Sequence, residues 1–342
     1  MPKNKLPGRC LLFFLWTLLF LPAPVHAAAM KGFNLAGAEF GAKIKPGKQG
    51  TDYFWPGAEE VEMYAQTGAN VLRIPFLWER MQPALWRALK KEELAALDVI
   101  VSAAARKNVM VILDVHNYGK YNGNLIGSEE VPVSAYTDFW SRLARHYKDS
   151  PNVAFGLMNE PHKHRAKEWA DIAQAAIRAI RAAGASHLIL VPGTRWSGAH
   201  SWLKGPGPGR SNAEALKTLE DPANNFMFDL HQYLDANSSG MHESCVDEAV
   251  GVKRLAAVTA WLRQTKTRAF LSEFGAANNP VCLRAMENML AYMDRNDDVW
   301  GGWTYWAASK WFGNYMFNIY PPDARKFPQL AILQTDMARQ GE

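Results

Sequence analysis

The sequence predicts a (β/α)8 barrel, a TIM barrel, in a single domain. Three observations carry this expectation. After residue 27, short apolar runs alternate with amphipathic helical stretches to the end of the chain. Eight of the runs read as strands, the number a closed α/β barrel needs. Their polar residues gather at the C-terminal ends, which form the active face of such a barrel. The alternative is an open doubly wound sheet, but no Gly-x-Gly-x-x-Gly follows any strand.

In order, the first strand is read at Gly32–Leu35, and a short helix at Glu59–Thr67 ends at Gly68. Val71–Pro75 is the second strand. The helix at Glu92–Lys107 carries Leu94, Leu97, Val101 and Ala105 on one face. Val109–Asp114, the third strand, is continuously apolar, as a parallel strand covered on both faces must be. A helix at Tyr136–Tyr147 leads to the fourth strand, Val153–Met158. An Ala-rich helix at Ala166–Ala183 closes at Gly184 and leads to the fifth, His187–Val191. The run Gly205-Pro-Gly-Pro-Gly209 reads as a loop. Phe226–Leu230 is the sixth strand. A helix at Val250–Thr265 precedes the seventh, Ala269–Ser272, and a helix at Leu283–Arg295 precedes the eighth, within Val299–Trp306. Gln329–Ala338 is the closing helix. There is no internal repeat, no linker and no room for an appended binding module.

Residues 1–27 read as a secretory signal, leaving residues 28–342 as the barrel domain. Lys3, Lys5 and Arg9 make a basic start, and Leu11–Leu21 is apolar except for Thr17. Val25-His26-Ala27 places small residues for cleavage after Ala27, with Ala29 as a second position. The apolar run is too short for a comfortable span, so no membrane association is expected after cleavage; an uncleaved anchor is the alternative. The product is expected to be secreted or periplasmic, and a monomer. Removing the three basic residues takes the net charge from +5 to +2, and no basic patch argues for nucleic acid. Cys10 leaves with the signal. Cys245 and Cys282 remain, an even pair in an exported chain, so a disulfide between them is expected. No metal site and no cofactor are expected.

Two strand ends carry glutamates. Glu160 closes Val153-Ala-Phe-Gly-Leu-Met-Asn-Glu-Pro161, where the proline stops the strand, and Glu273 lies in Leu271-Ser-Glu-Phe-Gly275. Either alone could be a structural acid, at a helix start or in an ion pair. Two carboxylates on different strand ends are what glycoside hydrolysis by double displacement needs, one as nucleophile and one as proton donor, roughly 5 Å apart. The other strand ends add Arg73, His116 with Asn117, Asn159, His231 with Tyr233, and Trp306. Arg73 is suited to keep Glu273 ionised, and Tyr233 to donate to it. Asn159 is suited to bond a sugar 2-OH, the two histidines to bind hydroxyls or tune Glu160, and Trp306 to floor a sugar ring.

These stretches carry a resemblance. Gly32-Phe-Asn-Leu-Ala-Gly-Ala-Glu-Phe-Gly41, Leu72-Arg-Ile-Pro-Phe76, Asp114-Val-His-Asn-Tyr118, Gly156-Leu-Met-Asn-Glu-Pro161, Asp229-Leu-His-Gln-Tyr233, Ser272-Glu-Phe-Gly275 and Trp303-Thr-Tyr-Trp306 occur in the family's order. The chain resembles glycoside hydrolase family 5, in the endoglucanase branch that includes the fungal-type enzymes. The resemblance implies a retaining enzyme, with Glu160 as acid/base and Glu273 as nucleophile. One departure stands out: after Trp306 the pattern continues Ala-Ala-Gly, whereas Ser309 and Lys310 follow the two alanines here. Lys310 is expected to alter the groove near the nucleophile.

The function expected is an exported endo-β-1,4-glucanase acting on cellulose or a soluble β-glucan. The alternatives are the same chemistry on mannan, xyloglucan or mixed-linkage glucan, and a polysaccharide-binding protein without catalysis. A flat glucan chain needs stacking platforms, for which Trp78, Tyr118, Trp196, Trp306 and Trp311 are the candidates.

Overall fold

The computed structural model describes residues 1–2, 29–205, 207 and 210–339. The expected signal and its cleavage site lie, but for Met1 and Pro2, outside the described residues, as does most of the run 205–209. In chain order the elements are β1 (Met30–Leu35), α1 (Ala58–Ala65), β2 (Val71–Phe76), α2 (Trp78–Met81), α3 (Lys91–Arg106), β3 (Met110–Val115), β4 (Lys120–Tyr121), β5 (Asn124–Leu125), α4 (Val133–Tyr147), β6 (Val153–Gly156) and α5 (Ala166–Ala182). They continue with β7 (Ile189–Pro192), α6 (Asn212–Leu216), β8 (Phe226–His231), α7 (Val250–Thr265), β9 (Ala269–Glu273), α8 (Pro280–Asp294), β10 (Trp300–Ala308) and α9 (Pro328–Ala338). Eight strands close in the order β1-β10-β9-β8-β7-β6-β3-β2, every pair parallel. This is the (β/α)8 barrel expected.

Side chains alternate across each strand, so every second residue points into the barrel. At the lower end the interior is apolar: Val71, Ile112, Ala154, Leu190 and Phe270 pack together. Two residues further along the same strands come Arg73, Asp114 and Ser272, and β1 and β10 add Asn34 and Thr304; all are buried. The outward-facing residues, such as Leu72, Ile74, Val111 and Leu113, join the larger core under the helices. The barrel is thus sealed by hydrocarbon at one end and lined with hydrogen-bonding groups at the other.

The departures from the sequence reading are local. The fourth strand ends at Gly156, not Met158, and the fifth runs Ile189–Pro192. Helix α4 begins at Val133, straight after Pro132, and not at Tyr136. Helix α8 begins at Pro280, not Leu283; the Asn279 side chain accepts from Cys282 N at 3.0 Å and caps it. The eighth strand runs on to Ala308. It bulges near Gly302, whose φ is +135° and where a Cβ would come within 1.8 Å of Met30 O. The sequence reading did not place α2, α6 or the β4–β5 hairpin. Each is five residues or fewer, too short to show a period.

Cys245 and Cys282 form the expected disulfide, with Cα atoms 5.2 Å apart. It ties the loop after β8 to the first turn of α8, and Asn279 Nδ2 donates to Glu243 O at 2.7 Å beside it. The bridge closes a loop of 37 residues. In the loop-entropy account such a closure contributes about 3–4 kcal/mol. Replacing both cysteines by serine is therefore expected to lower the melting temperature by several degrees while keeping the far-ultraviolet dichroism. An unchanged melting temperature would show that the unfolded chain gains nothing from losing the bridge.

Candidate active site

The site is built around Arg73, which is fully buried in the upper layer of the barrel. Its Nη1 donates to Asn34 Oδ1 at 2.7 Å and to Glu273 Oε2 at 3.3 Å. Its Nη2 donates to Asn159 Oδ1 at 2.7 Å and pairs with Asp114 Oδ2 at 3.0 Å. Four strand ends, those of β1, β3, β6 and β9, are thereby referred to one guanidinium. Burial alone would loosen its proton, but Asp114, Glu273, Asp229 and Glu160 hold it above its ordinary value.

Glu273 ends β9 and is nearly buried. Besides Arg73 it accepts a 2.5 Å hydrogen bond from the Tyr233 hydroxyl on Oε1. Burial and the Glu273 charge push Tyr233 well above the usual phenol range, so it remains a donor. Glu160 follows the end of β6 in the left-handed region, at φ +44°, a conformation that costs a non-glycine residue of the order of 1–3 kcal/mol. His231 Nδ1 bonds Glu160 Oε1 at 2.9 Å and lies 3.8 Å from Glu273 Oε2. One oxygen of each glutamate and a ring nitrogen of His231 all lie within 4.8 Å of one another. That donor set would suit a divalent cation, but the Arg73 guanidinium is already paired with Glu273.

His116 stacks on Trp306, with centroids 5.6 Å apart and planes 15° apart, and its Nδ1 bonds Asp114 Oδ2 at 2.8 Å. The Tyr118 hydroxyl lies 3.4 Å from His116 Nε2. A cavity of about 530 Å³ opens beside Glu160, lined by Tyr118, Trp196, His200, His231 and Tyr233 among others. Trp196 is exposed and stacks on His162, with centroids 4.8 Å apart and planes 5° apart. It is presented by a run of three left-handed residues, Arg195, Trp196 and Ser197, at φ +59°, +57° and +52°. A second cavity, about 580 Å³ and lined by Leu125, His164 and Ile172 among others, does not reach Glu160 or Glu273.

The structure thus brings together Arg73, His116, Tyr118, Asn159, Glu160, His231, Tyr233, Glu273 and Trp306, with Trp196 at the edge. Two expectations need correction. Asn117 was read as a site group, but its Oδ1 accepts from Trp78 N at 2.7 Å and its Nδ2 donates to Glu79. Both ends of the amide are spent in holding the turn after β2. Trp78 is not a platform: it is fully buried against Tyr121, Tyr136 and Phe139. Asp114, Asp229 and Asn34 were not singled out. The signal was available, because Asp114 and Asp229 each stand two residues before a site histidine, and strand alternation puts both on the same face.

The chain from residue 27 to 309 matches the family model for cellulase, glycosyl hydrolase family 5. It is 38% identical over 306 residues to endo-beta-1,4-glucanase B of Aspergillus niger, covering 89% of each chain. Among solved structures, an endo-beta-1,4-glucanase from Xanthomonas axonopodis pv. citri with three substitutions superposes at a TM-score of 0.88. The two are 46% identical, covering 91% of this chain and 99% of that one. XacCel5A in complex with cellopentaose superposes at 0.87 with 46% identity, over 90% and 99%.

The chain belongs to glycosyl hydrolase family 5.

The charges in this family 5 enzyme are not all settled at neutral pH. Burial works against the His231 proton, but Glu273 and Glu160 raise it to about 9. Burial pushes Asp229 up to about 6, against His231 and Arg73. Asp114, equally buried, is held below the usual range by Arg73 and His116. Burial pushes Glu39 up to about 7, opposed by His116 and by the Gly37 N–H, which donates to Oε2 at 2.8 Å.

The sign follows from proton counting. Between pH 4.5 and 7 the folded hydrolase holds a proton on Glu39 that the unfolded chain has released, and between 6.5 and 9 it does the same on His231. Each of these two contributions to stability, and that of Asp229 between 3.8 and 6, is therefore lost as pH rises through its window. Glu39→Gln is expected to lessen the fall between pH 4.5 and 7, most clearly above pH 6 where Asp229 no longer contributes, and to leave that between 6.5 and 9, as read from melting temperature against pH. Superimposable curves for the two proteins would remove Glu39 from this account.

Proposed function

We propose that the chain is an exported, retaining endo-β-1,4-glucanase, with Glu273 as nucleophile and Glu160 as acid/base. The observation that carries this reading is the carboxylate pair on facing strand ends, with an oxygen of each within 4.8 Å. Retaining glycosidases hold their carboxyl groups about 5–5.5 Å apart, and inverting ones about 6.5–9.5 Å, with room for a water between.

In the first step a Glu273 oxygen attacks the anomeric carbon while Glu160 gives its proton to the departing glycosidic oxygen. A glycosyl ester forms on Glu273 as the chain's other half leaves with its new hydroxyl. In the second step Glu160 takes a proton from water, the water oxygen attacks the same carbon, and Glu273 departs as carboxylate. Arg73 and Tyr233 direct Glu273 and stabilise its charge. Asn159 spends its Oδ1 on Arg73, and its Nδ2 makes no hydrogen bond among the described residues, which suits it to donate to a sugar 2-OH. Trp306 is the floor under the attacked sugar. Tyr118 and Trp196 flank Glu160, on the side from which the leaving half departs. No cofactor enters the reaction.

Glucan as substrate is supported by the relatives' activities and by the cellopentaose held in XacCel5A. Export is supported by the leader-like residues 1–27 together with the disulfide. The domain is then residues 28–342, acting as a monomer.

Glu273→Ala is expected to lower turnover at least about a thousandfold with the fold intact. Azide should partly restore release from an activated aryl glycoside and give the inverted glycosyl azide. Near-normal turnover would take the nucleophile role away from Glu273. On carboxymethylcellulose, viscosity should fall faster than reducing ends accumulate, and oligosaccharides below about four units should be poor substrates, because remote contacts supply transition-state stabilisation. Rapid cleavage of mannan without action on cellulosic substrates would transfer the same mechanism to another β-glycan.

A further inference from the structure

Trp311 lies in the loop between β10 and α9, where a stacking platform was expected. It stands next in sequence to Phe312, which contacts the site aromatics. Trp306 meets Phe312 at 5.9 Å, and Phe312 meets Phe40 at 4.7 Å. In the closed barrel β10 stands opposite β6, so the loop after β10 lies across the site from Glu160, on the side where the sugar bonded to Glu273 would extend. Trp311 itself stacks on Phe54 with centroids 4.5 Å apart and planes 15° apart. Gly37 lets the backbone approach the ring; a Cβ there would come within 3.0 Å of it.

The ammonium of Lys310 sits over the same indole, 4.6 Å from its centroid. It is held there from the other side as well. Its Nζ pairs with Glu60 Oε1 at 2.9 Å, while Glu60 Oε2 accepts from Gly57 N at 2.9 Å and is fixed to the start of α1. The indole is therefore engaged by a benzene ring and by a paired cation. A sugar stacks through its C–H face and needs the surface that the cation occupies.

We infer that Lys310 caps Trp311 and withholds a stacking contact at the far glycone end of the groove. This inference rests on the glucanase reading. On it, the protein grips fewer sugar units on that side than its aromatic residues allow. The Lys310 side chain is 43% exposed, so the ion pair is partly screened and the cap is displaceable. Lys310 acts here on substrate length and not on the bond-breaking step.

The test measures binding of cellotriose and cellohexaose by calorimetry in the Glu273→Ala background, with and without Lys310→Ala. Cellohexaose should bind about three- to tenfold more tightly once the ring is uncovered, and cellotriose should be unaffected. Lys310→Arg should bind like the parent, since arginine keeps both the ion pair and the ring contact. Glu60→Gln, which frees the lysine without removing it, should move cellohexaose binding in the same direction by less. It serves as the second variant if Lys310→Ala fails to fold. Cellohexaose hydrolysis by the unmodified protein reads the glucanase assignment separately. Hydrolysis with no gain, or with weaker binding, in Lys310→Ala overturns the cap alone. Neither hydrolysis nor binding of any cello-oligosaccharide overturns both.

Discussion

Everything at the active face depends on one buried cation. Taking the Arg73 guanidinium out of water costs several kcal/mol, and that cost is offset only if its hydrogen bonds are met with good geometry. The partners come from separate strands: Asn34 from β1, Asp114 from β3, Asn159 beyond β6 and Glu273 from β9. A closed barrel is the arrangement that converges such groups from distant parts of the sequence, because its strand ends point toward one axis. Arg73 thus converts the closure of the barrel into the position of a carboxylate. The apolar layer beneath it, from Val71 to Phe270, is what keeps water from competing for those contacts.

The two glutamates are chemically identical, and their surroundings make them different. Glu273 receives a guanidinium and a phenol, both donors that hold a charge in place. Glu160 receives an imidazole, on a backbone bent into the left-handed region. His231 touches Glu160 and lies near Glu273, so the charge state of any one of the three is felt by the others. Behind them, Asp114 and Asp229 occupy equivalent places two residues before their histidines, yet they are shifted in opposite directions. Among the described residues each has one oxygen without a hydrogen-bond partner, but the other oxygen of Asp114 pairs with Arg73 and His116, whereas that of Asp229 bonds the neutral Ser272 hydroxyl.

The barrel and the polar strand ends were legible because both are periodic. Alternating runs give the fold, and a carboxylate at the end of an apolar run marks the active face whatever the loops do. The disulfide was legible by elimination, since two cysteines remain once the leader-like residues 1–27 are set aside. Other features do not follow from local pattern. Asn117 and Trp78 look like site groups, one beside a strand end and one just after it. Only the tertiary packing shows that the amide is used by the backbone of Trp78 and by Glu79, and that the indole packs between Tyr121 of β4 and Phe139 of α4. The short helix α2 is set by such contacts, whereas α6 has a local signal in the Ser211–Glu214 capping box at its start.

The same distinction separates chemistry from substrate choice. The groups assigned to bond breaking lie on strands or within four residues of a strand end, where neighbouring hydrogen bonds fix them. The groups suited to hold the rest of a polymer lie on loops. Trp196 is presented by three successive left-handed residues, and Trp311 by a segment anchored through Asn318, whose Oδ1 accepts from Ser309 N at 3.0 Å. Loop positions can change side chain without disturbing Arg73. That is why a lysine can stand at position 310, within a few residues of Trp306, while the Arg73 and Tyr233 contacts to Glu273 stay in place. Its effect is confined to what the outer indole can touch. On this argument, differences in substrate length among such proteins should trace to the loops after β7 and β10, and differences in rate on a bound chain to the strand ends beneath them.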